Sequence, residues 1–254
     1  MTSTSLWRTF TAQWQIKVFL GGAITAAFWI GYSLLEHFPA RPVVQMPELG
    51  IDRLIPFWPR AAFVYVSQFV TMPLVIWLMT TRRQLLFCCL NLVLLIGASF
   101  VVFYFWPTSV ARPEPSPGHD FFYGVIANAD LPRNACPSLH AAFGVFTAIG
   151  AWQVFRGWQH SRWLIGVAWL WTAAVLLSTL LIKQHVFLDL LAGIALGAAS
   201  GWLTQRPERL ARRCNPACLE VVSQPPMRAA ASLPASPLAP EFTAGNSRPP
   251  GGQS

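Results

Sequence analysis

The stretch Gln84-Leu-Leu-Phe-Cys-Cys-Leu-Asn-Leu-Val-Leu-Leu-Ile-Gly-Ala-Ser-Phe-Val-Val-Phe-Tyr-Phe-Trp106 runs for 23 residues without a charge. A helix that crosses the hydrocarbon core of a bilayer needs about 20 mostly apolar residues, so this run predicts a membrane-spanning helix. The runs on either side have the same character. Residues 61–81 lie between Arg60 and Arg82, and residues 137–155 end at Arg156. Further out, residues 18–35 lie between Lys17 and Glu36, and residues 163–182 between Arg162 and Lys183. Residues 185–203 end before Arg206 and carry Asp189 near their start. The first run exceeds the apolar core of about 7–15 residues found in a secretory signal and leads into Glu36-His37-Phe38, so it too reads as a span. The expectation is an all-α polytopic membrane protein, a bundle of six transmembrane helices.

Composition agrees. Of the 254 residues, 54% are hydrophobic and 11% charged, where an ordinary soluble domain has about 25% charged residues. Mean hydropathy is +0.45. These values exclude a disordered chain and argue against a soluble globular enzyme. Six spans place both termini on one side, which then holds twelve of the 18 Lys and Arg residues against six on the other. Short loops rich in Lys and Arg stay cytoplasmic, so both termini are expected inside. Loops 36–60 and 107–136, and the turn at Lys183, are expected outside.

The net charge of +8 is accounted for by cytoplasmic residues beside anionic headgroups. No basic block with interleaved aromatics suggests a nucleic-acid partner. The chain divides into a cytoplasmic N-terminus (1–17), a membrane domain (18–204) and a tail (205–254). The tail is rich in Pro, Ala, Ser and Arg, lacks an apolar period and reads as disordered. Cys88 and Cys89 fall inside a span and read as packing residues. Cys214 and Cys218 have no second Cys/His pair nearby, so no zinc site is expected.

Some polar residues stand where an apolar helix should exclude them. An Asp or Lys at the centre of a membrane helix costs about 2.5–3.5 kcal/mol on insertion scales. In Ser178-Thr-Leu-Leu-Ile-Lys-Gln-His-Val-Phe-Leu-Asp189, His185 and Asp189 are four apart and would share one face of a helix. Asp189 could then fix the tautomer of His185 and leave its other nitrogen as base or nucleophile. Lys183 adds positive charge, or is simply a lysine reaching the headgroups from a helix end. A second cluster, Asn134-Ala-Cys-Pro-Ser138-Leu-His140, opens the fourth span. Proline suits the first turn of a helix, and free amides there favour an anion. Ser138 and His140 would add donors, although a cap and a core histidine are the plain alternatives. A third, Trp106-Pro-Thr-Ser-Val-Ala-Arg112-Pro113, follows the third span. The six-span topology brings all three clusters to the outer face. Together they suit phosphoryl transfer: amides and cations hold the phosphate, one histidine attacks and the other protonates the leaving oxygen.

These clusters resemble the three-part motif of the type 2 phosphatidic acid phosphatase superfamily. The family pattern is Lys, six residues, Arg-Pro; then Pro-Ser-Gly-His; then Ser-Arg, five residues, His, three residues, Asp. Here the matching residues are Arg112-Pro113, Pro137-Ser138-Leu139-His140, and Ser178-Thr179 followed by His185 and Asp189. The leucine in the second part is similar to the branch that includes inositol phosphorylceramide synthases and bacterial relatives. The likeness covers about residues 84–203, a phosphatase-like core within the membrane domain.

The resemblance implies a six-helix membrane enzyme in which His185 forms a phosphohistidine, Asp189 orients it and His140 protonates the departing alkoxide. Arg112, Ser138 and Ser178 would bind phosphate. Two family cations are absent: Phe105 stands seven residues before Arg112, and Thr179 follows Ser178. Lys183 or Arg133 would take their place. The implied activity is a lipid phosphate phosphatase or phosphotransferase that needs no metal and no cofactor. Its partners would be the lipid phosphate substrate and the surrounding lipid, and its place a bacterial inner (plasma) membrane. Two other readings stay open: a transporter lined by the same polar residues, and a catalytically weak or inactive scaffold that keeps the fold.

Overall fold

A computed structural model describes residues 3–114, 121–156, 158 and 161–204. Ten α-helices occur among them. In order they are α1 (Ser3–Thr11), α2 (Trp14–His37), α3 (Gly50–Leu54), α4 (Ala62–Val66), α5 (Gln68–Trp77), α6 (Arg82–Phe105), α7 (Phe121–Ala129), α8 (Leu139–Phe155), α9 (Ser161–Leu181) and α10 (Phe187–Leu203). The tail expected to be disordered, with Cys214 and Cys218, lies outside the described residues.

Each apolar run of the sequence becomes helix close to its expected limits. Four helical stretches are long and apolar enough to cross a membrane: α2, the Pro59–Trp77 segment, α6 and α9. The Pro59–Trp77 segment is not one rod. It opens with a turn of 3-10 helix at Pro59–Ala61 and breaks between α4 and α5 at Ser67. The hydroxyl of Ser67 donates to Val64 O and accepts from Trp171 Nε1 of α9 at 3.0 Å. Helices α8 and α10 are apolar but have 17 residues each, roughly 25 Å at 1.5 Å per residue.

Outward faces of the long helices carry large apolar side chains: Phe19 and Ile30 on α2, Leu90 and Val101 on α6, Trp163 and Leu170 on α9 are all exposed. Water would penalise such surfaces, whereas lipid does not. The two short helices are different, because α8 is packed by α10, α9, α5 and α6. Its Leu139, Ala142, Phe146 and Ala151 join Leu92, Leu95 and Phe103 of α6 in the main core, together with Val75 and Met79.

Small residues set the α8–α10 distance. Gly193, Gly197 and Gly201 recur every four residues and so line one face of α10. A Cβ on Gly193 would collide with Ser138 O, one on Gly197 with Ala142 O, and one on Gly201 would press into Ile149. Such a small-residue stripe lets two membrane helices approach backbone to backbone, where dispersion replaces the absent hydrophobic drive. The Ser138 amide completes the seam by donating to Asp189 O at 3.0 Å.

The described residues of the loops expected outside form secondary structure. Residues Val44–Gln45 (β1) pair in parallel with Thr108–Ser109 (β2), in the register Val44 to Thr108 and Gln45 to Ser109. This tie joins the α2–α4 connection to the chain leaving α6. Helix α7, which the sequence reading left inside a loop, forms from Phe121-Phe-Tyr-Gly-Val-Ile-Ala-Asn-Ala129. Its Tyr123 and Ile126 pack with Tyr65, Ala62 and Ile182.

Alanine at Gly193 or Gly197 therefore forces the two helices apart. Overpacking of this kind costs about 1–3 kcal/mol, and thermal unfolding in detergent should report the loss. Alanine at Gly97 or Gly166, which have nothing within 4 Å of the new methyl, should be neutral or stabilising by up to about 1 kcal/mol.

Candidate active site

The chain between α9 and α10 makes the site. Helix α9 ends in a tight turn: the amides of Lys183 and Gln184 donate to Leu180 O and Thr179 O at 3.1 and 3.0 Å. Lys183 takes a left-handed backbone with φ 56°. Val186 is then the extended N-cap of α10 and Phe187 its first residue. His185 thus precedes the helix, which corrects the expectation of a His–Asp pair on one helical face. The turn, not the helical period, folds the imidazole back over the first turn of α10. There Asp189 is fully buried, and its Oδ2 accepts from His185 Nδ1 at 3.0 Å. A carboxylate in the first turn also meets the positive end of the helix dipole. With Nδ1 carrying the proton, Nε2 keeps its lone pair.

His140 sits one residue inside α8. Its ring centroid is 6.3 Å from that of His185. The ring of Tyr65 stacks on it at 3.8 Å with planes 21° apart, and Phe69 meets it edge-on at 5.8 Å. Gln68 Nε2 donates to His140 O at 2.9 Å. The broken segment α4–α5 therefore holds the second imidazole through Tyr65 and Phe69 and its backbone through Gln68. The helix begins at Leu139 with Ser138 as its N-cap, the plain alternative for that residue, and Ser138 Oγ accepts from the Ala141 amide at 3.3 Å.

Beside His185 lies a cavity of about 510 Å³ whose lining includes Arg112, Lys183, Asp52, Arg53 and Glu48. Arg112 Nη1 donates to both O and Oδ2 of Asp130 at 3.0 Å, and Tyr32 OH donates to Asp130 Oδ1 at 2.9 Å. Arg112 Nε is buried with no hydrogen-bond partner among the described residues. Lys183 Nζ donates to Asp52 O and Ile55 O at 2.7 and 2.6 Å, which engages two of its three protons. Asp52 answers across the same gap. Its Oδ1 accepts from the Phe187 amide and its Oδ2 from the Leu49 amide, each at 2.8 Å. Loop 36–60 is thereby clasped to the histidine turn.

The two serines are placed otherwise. Ser138 is fully buried, and Ser178, also buried, donates to Val175 O at 2.6 Å. Neither borders the cavity. At the two positions that lack the family cations, Thr179 is fully buried with its hydroxyl on Leu176 O, and Phe105 is 58% exposed. Arg133 is occupied elsewhere, donating to Glu36 O at 2.9 Å. Cys136 is buried, and that burial, helped by the charge of Asp189, pushes its thiol up to about 11. It is a neutral packing residue at ordinary pH. Among the described residues, no three His, Cys, Asp or Glu side chains converge on a point where a metal ion could sit.

Apolar helices with exposed apolar flanks thus bring together a His–Asp pair, a second histidine and a cavity lined by arginines. Residues 86–210 match the sequence pattern of the PAP2 superfamily, and over this stretch the chain belongs to that superfamily. The match spans Arg112, Ser138, His140, Ser178, His185 and Asp189. No curated protein and no solved structure matches the chain. Sequence reasoning missed Asp52, Tyr65, Gln68 and Asp130. All four act across long separations in the chain, and only their polarity inside or beside apolar runs could have flagged them.

The clasp can be tested directly. Asp52→Ala orphans the Phe187 and Leu49 amides, at a cost of about 1–3 kcal/mol. Hydrogen exchange should quicken at both amides, and Asp52→Asn, which keeps one acceptor, should fall between.

Proposed function

We propose that the protein is a membrane-embedded lipid phosphate phosphatase or phosphotransferase that works through a phosphohistidine. The observation that carries this is the pair of imidazoles 6.3 Å apart, one of them tethered through Nδ1 to a buried carboxylate and bordering a cavity that Arg112 and Lys183 also line. Superfamily membership supports phosphatase or phosphotransferase chemistry in general terms.

In the first step the Nε2 lone pair of His185 attacks phosphorus. The P–N bond forms, the P–O bond to the lipid alcohol breaks, and protonated His140 gives its proton to the departing oxygen. Asp189 holds the tautomer and stabilises the positive charge that develops on His185. In the second step neutral His140 takes a proton from water or from a second alcohol, whose oxygen attacks phosphorus. The P–N bond breaks and His185 is restored. Water yields free phosphate; an alcohol yields a new ester. Arg112 and Lys183 stabilise the charge on the phosphoryl oxygens, so fixed cations do the work a metal would otherwise do. Ser138 and Ser178 hold an amide and a helical turn in place rather than contacting the phosphate.

The same proposal places six spans in a bacterial inner (plasma) membrane, with both termini inside and the cavity outside. Helices α8 and α10 are then the shortest crossings, shielded by the longer ones. Exposed apolar flanks beside a polar cavity suit a substrate whose tail stays in the bilayer. Phosphatidic acid, an isoprenyl pyrophosphate and a phosphoinositide-like donor all have this form. Phe105 and Thr179 favour one rival, a family member that has kept the fold and lost turnover.

Purified protein in chelator should release phosphate from a panel of lipid phosphates. A rapid quench should trap an acid-labile, alkali-stable phosphoenzyme. His185→Ala should abolish both. His140→Ala should slow turnover by about 10²–10⁴-fold, the usual contribution of a general acid. Turnover that persists in His185→Ala would overturn the scheme, and turnover that collapses in chelator would overturn its metal independence.

A further inference from the structure

We propose that Arg53, on the loop between the first two spans, supplies a phosphate-binding cation that the superfamily motif positions of this chain lack. The inference rests on the phosphoryl-transfer reading above and names a further residue of that site.

Three observations converge. First, the cavity bordered by His185 is lined by three cations, Arg53, Arg112 and Lys183. Two of them are committed: Arg112 to Asp130, and Lys183 to the carbonyls of Asp52 and Ile55. Second, Arg53 is the looser one. Its side chain is 76% exposed, and its Nε lies 3.9 Å from Glu48 Oε2, itself 48% exposed. That is the limit of an ion pair and worth little in water, so a phosphate dianion can displace Glu48 at small cost. Third, the position of Arg53 is set from the other side. Its neighbour Asp52 is buried and pinned to the Phe187 amide, while Lys183 grips Asp52 O. The exposed guanidinium is therefore carried on a backbone fastened to the histidine turn.

Motif inspection would not find this residue, because it belongs to a different loop from the three motif segments. The two cations missing at Phe105 and Thr179 leave a deficit of positive charge at the phosphate. A guanidinium that arrives from loop 36–60 offsets it with a planar fork suited to two phosphoryl oxygens. Glu48, 3.9 Å from Nε, is the carboxylate a bound phosphate would displace.

Steady-state kinetics on a lipid phosphate in detergent micelles, with orthovanadate as competitive probe, tests this. Arg53→Ala should raise KM about tenfold or more and weaken vanadate inhibition equally, with kcat kept within about threefold, as expected when binding common to substrate and transition state is lost. Arg53→Lys should recover part of the loss. Glu48→Gln should lower KM several-fold when Arg53 is present and do nothing in the Arg53→Ala background, a coupling that a merely structural role would not give. The melting temperature of Arg53→Ala should match the wild type. Unchanged KM and unchanged vanadate inhibition in Arg53→Ala would overturn the assignment while leaving the phosphohistidine mechanism intact. A wild-type protein that neither turns over any lipid phosphate nor binds vanadate would sink both.

Discussion

The backbone contact between α8 and α10 is the constraint on which the site depends. His140 rides on one helix and Asp189 on the other, with His185 just ahead of it. The imidazoles can meet only if those helices lie closer than side chains normally allow. Three glycines on α10 remove the Cβ atoms that would hold the backbones apart. The Ser138 amide then reaches Asp189 O. In a bilayer no hydrophobic force would drive two such helices together, so tight van der Waals contact along a smooth groove is the available source of association energy. The long helices α2, α6 and α9 serve a different purpose, turning large apolar side chains outward and enclosing this short pair.

A second constraint is the satisfaction of buried polar groups. Asp189 sits at zero exposure in an apolar bundle, where an isolated carboxylate would be prohibitively costly. The helix start and the His185 Nδ1–H compensate Oδ2, while Oδ1 has no hydrogen-bond partner among the described residues, and the Oδ2 contact is what orients the His185 ring. Arg112 shows the same logic, since Asp130 and Tyr32 hold it in place. The Asp52–Lys183 clasp extends the principle to the loops. Two charged side chains are used not against each other but against the backbone of the opposite segment, so each ties down a chain end that would otherwise be open.

The loops that carry Asp52 and Arg112 thus belong to the site rather than decorating it. The β1–β2 tie, the clasp and the packing of α7 against Tyr65 join segments distant in sequence. Tyr65, stacked on His140, belongs to the broken α4–α5 segment. A continuous second helix could not offer Tyr65, Gln68 and Phe69 to the same histidine so readily as one interrupted at Ser67.

What was legible in the chain was whatever depends on local composition. Charge-free runs located the apolar helices, because burying peptide groups in lipid demands helical hydrogen bonding whatever the neighbours. The histidines and Asp189 stood out because polar groups are rare in such runs, and their spacing, with Arg112-Pro113 in the preceding loop, carried the family likeness. The glycine stripe was also written there, at every fourth position of the last run, although its meaning needs a partner helix. Only the tertiary structure decided that His185 lies ahead of its helix, that the two serines are buried, that Asp52 and Arg53 line the cavity, and that Tyr65 and Asp130 hold His140 and Arg112. These are contacts between residues tens to more than a hundred positions apart. No local period encodes them, because they arise only when packed helices and clasped loops fix the distances between segments.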